Sequence, residues 1–167
     1  MQPATSASAT PSPTGPKITG PGVRPGEKPP VLDPEVGRHT STGAIAMAVF
    51  YEKAYDWSLA TNDPYLLKQI SAPTCQRCKE VIDGLTKLAA QGGHTWGARG
   101  HVDSSRLFDG KGVIKADHIV RVVVTQAAGG SVFPDRTTSD VPRATIESYI
   151  YISWIDGQWQ IVGDFGA

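Results

Sequence analysis

Cys75 and Cys78 are the only cysteines in this chain of 167 residues, so any disulfide within it must join them across two intervening positions. At the start of a helix, thiolates in that spacing would be stabilised by the helix N-terminus, which makes thiol redox chemistry a legitimate reading. Against it, the pair follows a helix and a loop rather than a strand, and Gln76-Arg77 is not a typical redox dipeptide. Four Cys or His ligands at metal spacing are missing, so no zinc site is expected. In an oxidising compartment the pair reads as a structural clip worth about 2 kcal/mol on the chain-entropy estimate.

The second candidate is His118, which shares the apolar face of a strand with Val120, Val122 and Val124, together with Tyr51 on the inward side of a long helix. If the two meet, with Tyr55 and Trp154 lining the same space, a histidine beside a phenol can serve acid–base chemistry near neutral pH. The same residues also read as a core histidine hydrogen-bonded to its neighbours. Asp117 and Glu147 fall on the opposite strand faces by parity, so no inward carboxylate is evident. His39, His94 and His101 sit near element ends or on a weak strand, as surface histidines do. Gly129-Gly130-Ser131 lacks the lysine of a phosphate loop, no dinucleotide fingerprint occurs, and a serine elbow is absent; no cofactor is expected.

Three helices must position these groups. His39-Thr40-Ser41-Thr42 caps a helix over Gly43–Leu59 whose charges, Glu52, Lys53 and Asp56, occupy one narrow arc, so most of its surface should be covered. Asn62-Asp63-Pro64 breaks it and opens a short helix to Ile70. A third helix runs from about Cys75 to Ala90 and stops at Gly92-Gly93. Beyond that point the apolar period becomes two. His94–Leu107 reads as a strand weakened by Gly97 and Gly100, Ile114–Gln126 as a clear strand, and Gly129-Gly130 with Pro134 as a loop.

Asp156-Gly157 is a hairpin signal that pairs residues whose numbers sum to 313. Trp154 then faces Trp159, Ile152 faces Ile161 and Ile150 faces Gly163, which assembles a buried face. The other face holds Tyr149 opposite Asp164 and Tyr151 opposite Val162. It is half apolar and a candidate interface, with a homodimer as one option.

The first 36 residues are different material. Nine of the 13 prolines lie within the first 34 positions among Thr, Ser, Ala and Gly. Such a segment buries too little to order itself and reads as a disordered tether over residues 1–36, able to span roughly 100 Å. Residues 37–167 are long enough for one domain. With 16 basic against 16 acidic residues and no basic run, the chain lacks the footprint of a nucleic-acid binder.

Helices followed by strands argue for an α+β architecture, three helices packed on one curved antiparallel sheet of about four strands. That ordering resembles the nuclear-transport-factor-2-like cone. More specifically, His39-Thr40, Tyr51, Tyr55, Thr61-Asn62-Asp63 and Ser71-x-Pro73-x-Cys75-x-x-Cys78 resemble an actinobacterial lipoprotein family, the domain of unknown function numbered 6318. The resemblance implies an extracytoplasmic setting, with an acylated cysteine upstream of this chain as the sole membrane attachment. The first expectation is therefore a lipid-anchored binding module without assigned catalysis, taking a small apolar ligand or a cell-envelope protein. The alternatives are an isomerase-, dehydratase- or cyclase-like enzyme using His118 and Tyr51, and a thiol redox protein using Cys75 and Cys78.

Overall fold

The computed structural model describes residues 15–166. Helix α1 spans Ser41–Thr61, α2 Tyr65–Ile70 and α3 Gln76–Ala90, after a short 3-10 turn at Pro34–Gly37. Each start has a local cause. The Thr40 hydroxyl accepts from Gly43 N at 3.1 Å and caps α1. Asn62, with φ 55°, ends it in the left-handed conformation that asparagine tolerates. Pro64 precedes α2, and Cys75 caps α3 with its sulfur 3.2 Å from Cys78 N.

Seven strands follow: β1 (His94–Gly97), β2 (Gly100–Leu107), β3 (His118–Gln126), β4 (Gly129–Val132), β5 (Thr138–Val141), β6 (Ala144–Ile155) and β7 (Gln158–Gly166). They form two antiparallel sheets, β1-β4-β5 and β2-β3-β6-β7. This layout corrects the expected nuclear-transport-factor-2-like cone, three helices on one sheet of about four strands. Gly97 and Ala98, both at positive φ, turn the chain sharply. The segment expected to be one strand is thereby divided between the two sheets. The Gly129-Gly130 segment, expected to be a loop, pairs with both β1 and β5.

The closing hairpin follows the expected register from Ile155↔Gln158 through Ile152↔Ile161, including Trp154↔Trp159. One step further, an extra residue in β7, Val162, shifts the pairing. Tyr151 then faces Gly163, Ile150 faces Asp164 and Tyr149 faces Phe165. The bulge moves Asp164 to the side of the sheet that faces the helices.

That side is the core. Val120, Val122, Ile150, Ile152, Ile161 and Trp159 pack against Ala44, Met47, Ala48, Tyr51 and Ala54 of α1, with Cys75 and Cys78 of α3 beside them. Alanines on the inner face of α1 let it lie close to the sheet, and each fully buried Ile or Leu contributes about 1.5–3 kcal/mol. The opposite side of the sheet has its own small cluster, with Tyr151 and Val162 buried beside Ala116 and Ile119.

The start of α1 is seated by Trp159, whose Nε1 donates to Arg38 O at 2.8 Å. A β-carbon on Gly43 would lie 2.7 Å from Glu35 O and 2.9 Å from Trp159 Nε1, with Arg38 O closer still. Gly→Ala within a helix ordinarily stabilises by about 1 kcal/mol. Here the sign reverses: Gly43→Ala is expected to cost about 1–3 kcal/mol through overpacking, read as a lower urea midpoint. A raised midpoint would show that the turn is not packed this tightly.

Candidate functional site

Helix α1 covers only part of the sheet. Beyond Tyr51, the sheet surface continues through Val102, Val124, Ile146, Ser148 and Asp164, and a cleft of about 700 Å³ remains between it and the outer flank of α1. Glu27, Lys28 and Pro30 of the N-terminal segment line it, as do Val49, Glu52, Tyr55 and Asp56 of α1 and Arg77 of α3.

Its floor is organised by a buried phenol. Tyr51, 1% exposed, donates from its hydroxyl to Asp164 Oδ2 at 2.9 Å. Burial first, and the Asp164 charge second, push the Tyr51 phenol far above its usual range. Burial also raises the Asp164 carboxyl, while the Tyr51 hydrogen bond and Arg77 pull the other way. Glu52 is half-buried and accepts no hydrogen bond among the described residues. Burial, followed by the charge of Asp164, pushes its carboxyl up to about 8. The Tyr55 phenol is raised by burial. Two carboxyl groups thus share one cavity with a proton retained near neutral pH, the arrangement that inverts ordinary carboxylate behaviour. Among the described residues, no three His, Cys, Asp or Glu side chains converge to hold a metal ion.

One rim of the cleft is a clasp. Arg99, just past the bend after β1, reaches Asp56 of α1 through Nε and Nη2, at 3.0 and 2.7 Å. Its Nη2 also binds Glu27 Oε1 at 2.5 Å, and Nη1 donates to Gly22 O at 2.8 Å. The Asp56 and Glu27 hydrogen bonds hold the guanidinium above its already high range against the opposing effect of burial. Residues 17–27, which composition places in an unstructured leader, run along α1. Trp57 Nε1 donates to Lys17 O at 3.0 Å, and Gly22 N to Ala60 O at 2.8 Å. A β-carbon at Gly20 would strike the α1 backbone at Ala60 and Thr61, and one at Gly22 would press tightly on Ala60 at 3.0 Å. Residues 1–14 of the expected tether lie outside the described residues.

The sequence-expected pocket residues divide into two places. Tyr51 and Tyr55 line the cleft; His118 and Trp154 do not. Those two belong to an aromatic cluster where the chain enters α1. The His39 ring stacks on Trp154 at 4.7 Å, Trp154 meets Trp159 edge-on at 5.0 Å, and His118 lies 5.6 Å from Trp159. Cys75 and Cys78 form the disulfide, both almost wholly buried, and Cys78 Sγ lies 4.0 Å from the Tyr51 hydroxyl oxygen. On the outer sheet face, Tyr149 is half-buried, donates to Glu147 Oε1 at 2.7 Å and packs edge-on to Phe108. Tyr151 is buried and accepts from Val113 N at 3.0 Å, so the chain's own 108–117 loop covers that ring. Glu147 pairs with Arg121, which together with the Tyr149 hydrogen bond holds its carboxyl down at about 2.

Glu52, Asp164 and Arg99 were missed by sequence reasoning. Glu52 reads as part of a solvated arc, Asp164 changes face only through the bulge, and Arg99 has partners 43 and 72 positions away. The glycines around Arg99 and on β7 were the available signals of broken periodicity.

Two outcomes follow from this geometry. Glu52 binds its proton more tightly folded, at about 8, than at its ordinary 4.5. Stability attributable to it is therefore greatest at low pH and is lost as pH rises between those values. Glu52→Gln should remove that slope and melt higher than the parent at pH 9, with little difference at pH 4; parallel melting curves across pH would contradict it. Arg99→Ala leaves two carboxylates facing each other and should cost about 2 kcal/mol. Limited proteolysis should then cut residues 17–30 faster than in the parent, and unchanged cutting would show that the clasp does not hold the segment.

Among solved structures, the chain is similar to the intermembrane space region of the chloroplast protein ARC6, at 12% identity and a TM-score of 0.53, covering 77% of this chain and 97% of that one. It also matches a putative calcium/calmodulin-dependent protein kinase II association domain from Xanthomonas campestris, at 13% identity, a TM-score of 0.37, and 67% and 78% coverage. The first likeness concerns the fold alone. No curated protein sequence matches. A family model does match, over residues 27–164, and the chain accordingly belongs to the family of unknown function DUF6318.

Proposed function

We propose that this protein is a binding module, held at the outer face of the cytoplasmic membrane, that uses the cleft between α1 and the four-stranded sheet. The observation that carries the reading is the cleft itself. Its volume of about 700 Å³ falls in the range of small-molecule sites, and it joins apolar walls at Val102, Val124 and Ile146 to a few convergent polar groups. The extracytoplasmic setting is supported by the Cys75–Cys78 disulfide, which suits an oxidising compartment, and by the Pro-rich composition of the N-terminal segment. Burial of both sulfurs favours a structural clip over thiol exchange, which needs an accessible thiolate.

A second reading, acid–base catalysis on a small molecule, draws support from the proton that Glu52 retains near neutral pH beside Asp164 and Tyr51. It would work through Glu52 rather than through His118, which does not line the cleft.

The test is a fragment screen by NMR on the full chain and on Val102→Trp, which fills the cleft from its sheet side. Fragments should perturb the amides of residues 49–56 and 98–102 and lose that effect in the variant. Hits confined to the His39–Trp154 cluster, or unaffected by the plug, would overturn the cleft as the site. Conversion of a bound fragment, followed by mass spectrometry, would favour the enzyme.

A further inference from the structure

The segment ahead of α1 is anchored at two ends and unbonded between them. Downstream, Asp33 caps the 3-10 turn at Pro34–Gly37, Val36 is buried in the core, and Trp159 donates to Arg38 O. Upstream, Lys17 N donates to Asp63 Oδ2 at 3.0 Å, its carbonyl accepts from the Trp57 indole, and Gly22 N donates to Ala60 O. Between these anchors, residues 28–32 make no hydrogen bond among the described residues, and Pro29 and Pro30 have no N–H to offer. Glu27, Lys28 and Pro30 nevertheless line one side of the cleft. Little apolar burial holds them there, because Ile18, Val31 and Leu32 are 68%, 86% and 48% exposed. A segment fixed by polar contacts, with its aliphatic side chains already in water, opens locally at small cost.

The clasp at Arg99 is asymmetric. Asp56 is its fixed side: both carboxylate oxygens accept from Arg99 Nε at 3.0 Å, and Oδ1 also accepts from Gly100 N at 2.7 Å. Glu27 is the more exposed partner, at 26% against 19% for the Asp56 side chain. It belongs to a turn that holds itself together, with Arg24 N donating to Glu27 Oε2 at 2.9 Å and Glu27 N to Arg24 O at 3.0 Å. Gly26, at φ 78°, completes that turn. The turn can therefore leave as a unit. Arg99 keeps the Asp56 carboxylate when it goes, so release strands no unpaired cation.

We propose that residues 17–32 are a strap that gates the cleft, latched by Glu27 on Arg99 and free to swing about residues 31 and 32. The proposal rests on the cleft being a binding site and adds how access to it is controlled. Pro29 and Pro30 stiffen the chain just after the latch, so displacement of Glu27 carries Lys28 and Pro30 with it. The cleft then opens on the side that these three residues line, and the walls at Val102, Val124 and Ile146 meet solvent. A pull on the chain ahead of Lys17 passes through Lys17 and Gly22 before it reaches Glu27. The upstream anchor is a close fit: a β-carbon at Gly20 would lie 2.3 Å from Thr61 Cα. Unseating the strap there is thus a second way to release it, one that leaves Arg99 and Glu27 intact.

The experiment uses the full chain and two variants that act on different anchors: Glu27→Gln, which removes the charge of the latch, and Gly20→Val, whose side chain cannot seat on Thr61. Access is read by NMR as the paramagnetic relaxation that the soluble nitroxide TEMPOL induces in methyl groups, and seating as hydrogen exchange of the Gly22 amide. Both variants should raise the TEMPOL effect at Val102, Val124 and Ile146 about twofold or more, while Val120 and Ile152 in the core stay as in the parent. Glu27→Gln should also speed exchange at Gly22, because latch and anchor release together. A response of the cleft methyls confined to one variant, or absent from both, overturns the gate. So does a rise shared by Val120 and Ile152, which marks general loosening. No ligand enters these measurements, so a failed gate leaves the cleft a binding site, whereas a strap that opens over a cleft no fragment enters removes the binding reading.

Discussion

One extra residue in the last strand governs what this fold can do. A strand alternates its side chains between faces, so every position after an insertion changes side. Without Val162 as a bulge, the register that pairs Trp154 with Trp159 would place Asp164 on the outer face, opposite Tyr149. With it, Asp164 pairs with Ile150 and turns toward α1. There it accepts the hydroxyl of Tyr51, a buried polar tip on that helix, and supplies the charge that contributes to the raised pKa of Glu52. The hydrophobic half of the hairpin and the polar floor of the cleft are thus made by the same two strands on either side of a single irregularity.

A second constraint is geometric. Helix α1 packs its alanines closely on the sheet near the aromatic cluster, and the sheet extends beyond the area that one helix can cover. The uncovered strip would be an exposed apolar patch on an ordinary surface. Here it is bordered by the N-terminal segment, which α1 holds by backbone and indole hydrogen bonds and Arg99 holds by charge. Arg99 joins three pieces of chain remote in sequence: the segment before the domain's first helix, α1 itself, and the bend where the two sheets part. A guanidinium suits this position because its fork satisfies several acceptors at fixed angles.

The legible parts of this structure are those whose signals are local. Capping side chains, the Asn62-Asp63-Pro64 break and the double glycine after Ala90 mark the three helices because each acts within a few residues. Asp156-Gly157 fixes four cross-strand pairs for the same reason. What escapes is set by long-range competition. Gly129 and Gly130 have little strand preference, yet they become strand because β1 and β5 supply partners on both sides. Tyr151 reads as an exposed aromatic by strand parity, while a glycine-containing loop from elsewhere in the chain folds over it. Glu52 reads as solvated because helix periodicity reports which arc is charged and not which neighbour stands beside that arc. The cleft is built from such residues, so local pattern locates its helix and its aromatic wall and misses its acids.

The cost of the acidic floor explains the rigidity around it. Holding Glu52 and Asp164 together in a half-buried site opposes folding as soon as both would ionise, and a loose surrounding would relieve that by separating them or letting water in. Tyr51 cannot move away: Cys78 sulfur lies against its hydroxyl, the disulfide ties that sulfur to the start of α3, and Ile150 and Ile152 close the core beneath α1. The clip thereby has a role beyond its small contribution to chain entropy. It fixes the first turn of the helix that also brings Arg77 to the rim, so both sides of the acid pair are anchored to covalently or closely packed structure. The raised carboxyl of Glu52 is thus sustained by the packing of three elements, α1, α3 and β7, and a change in any one of them should reach the acid pair.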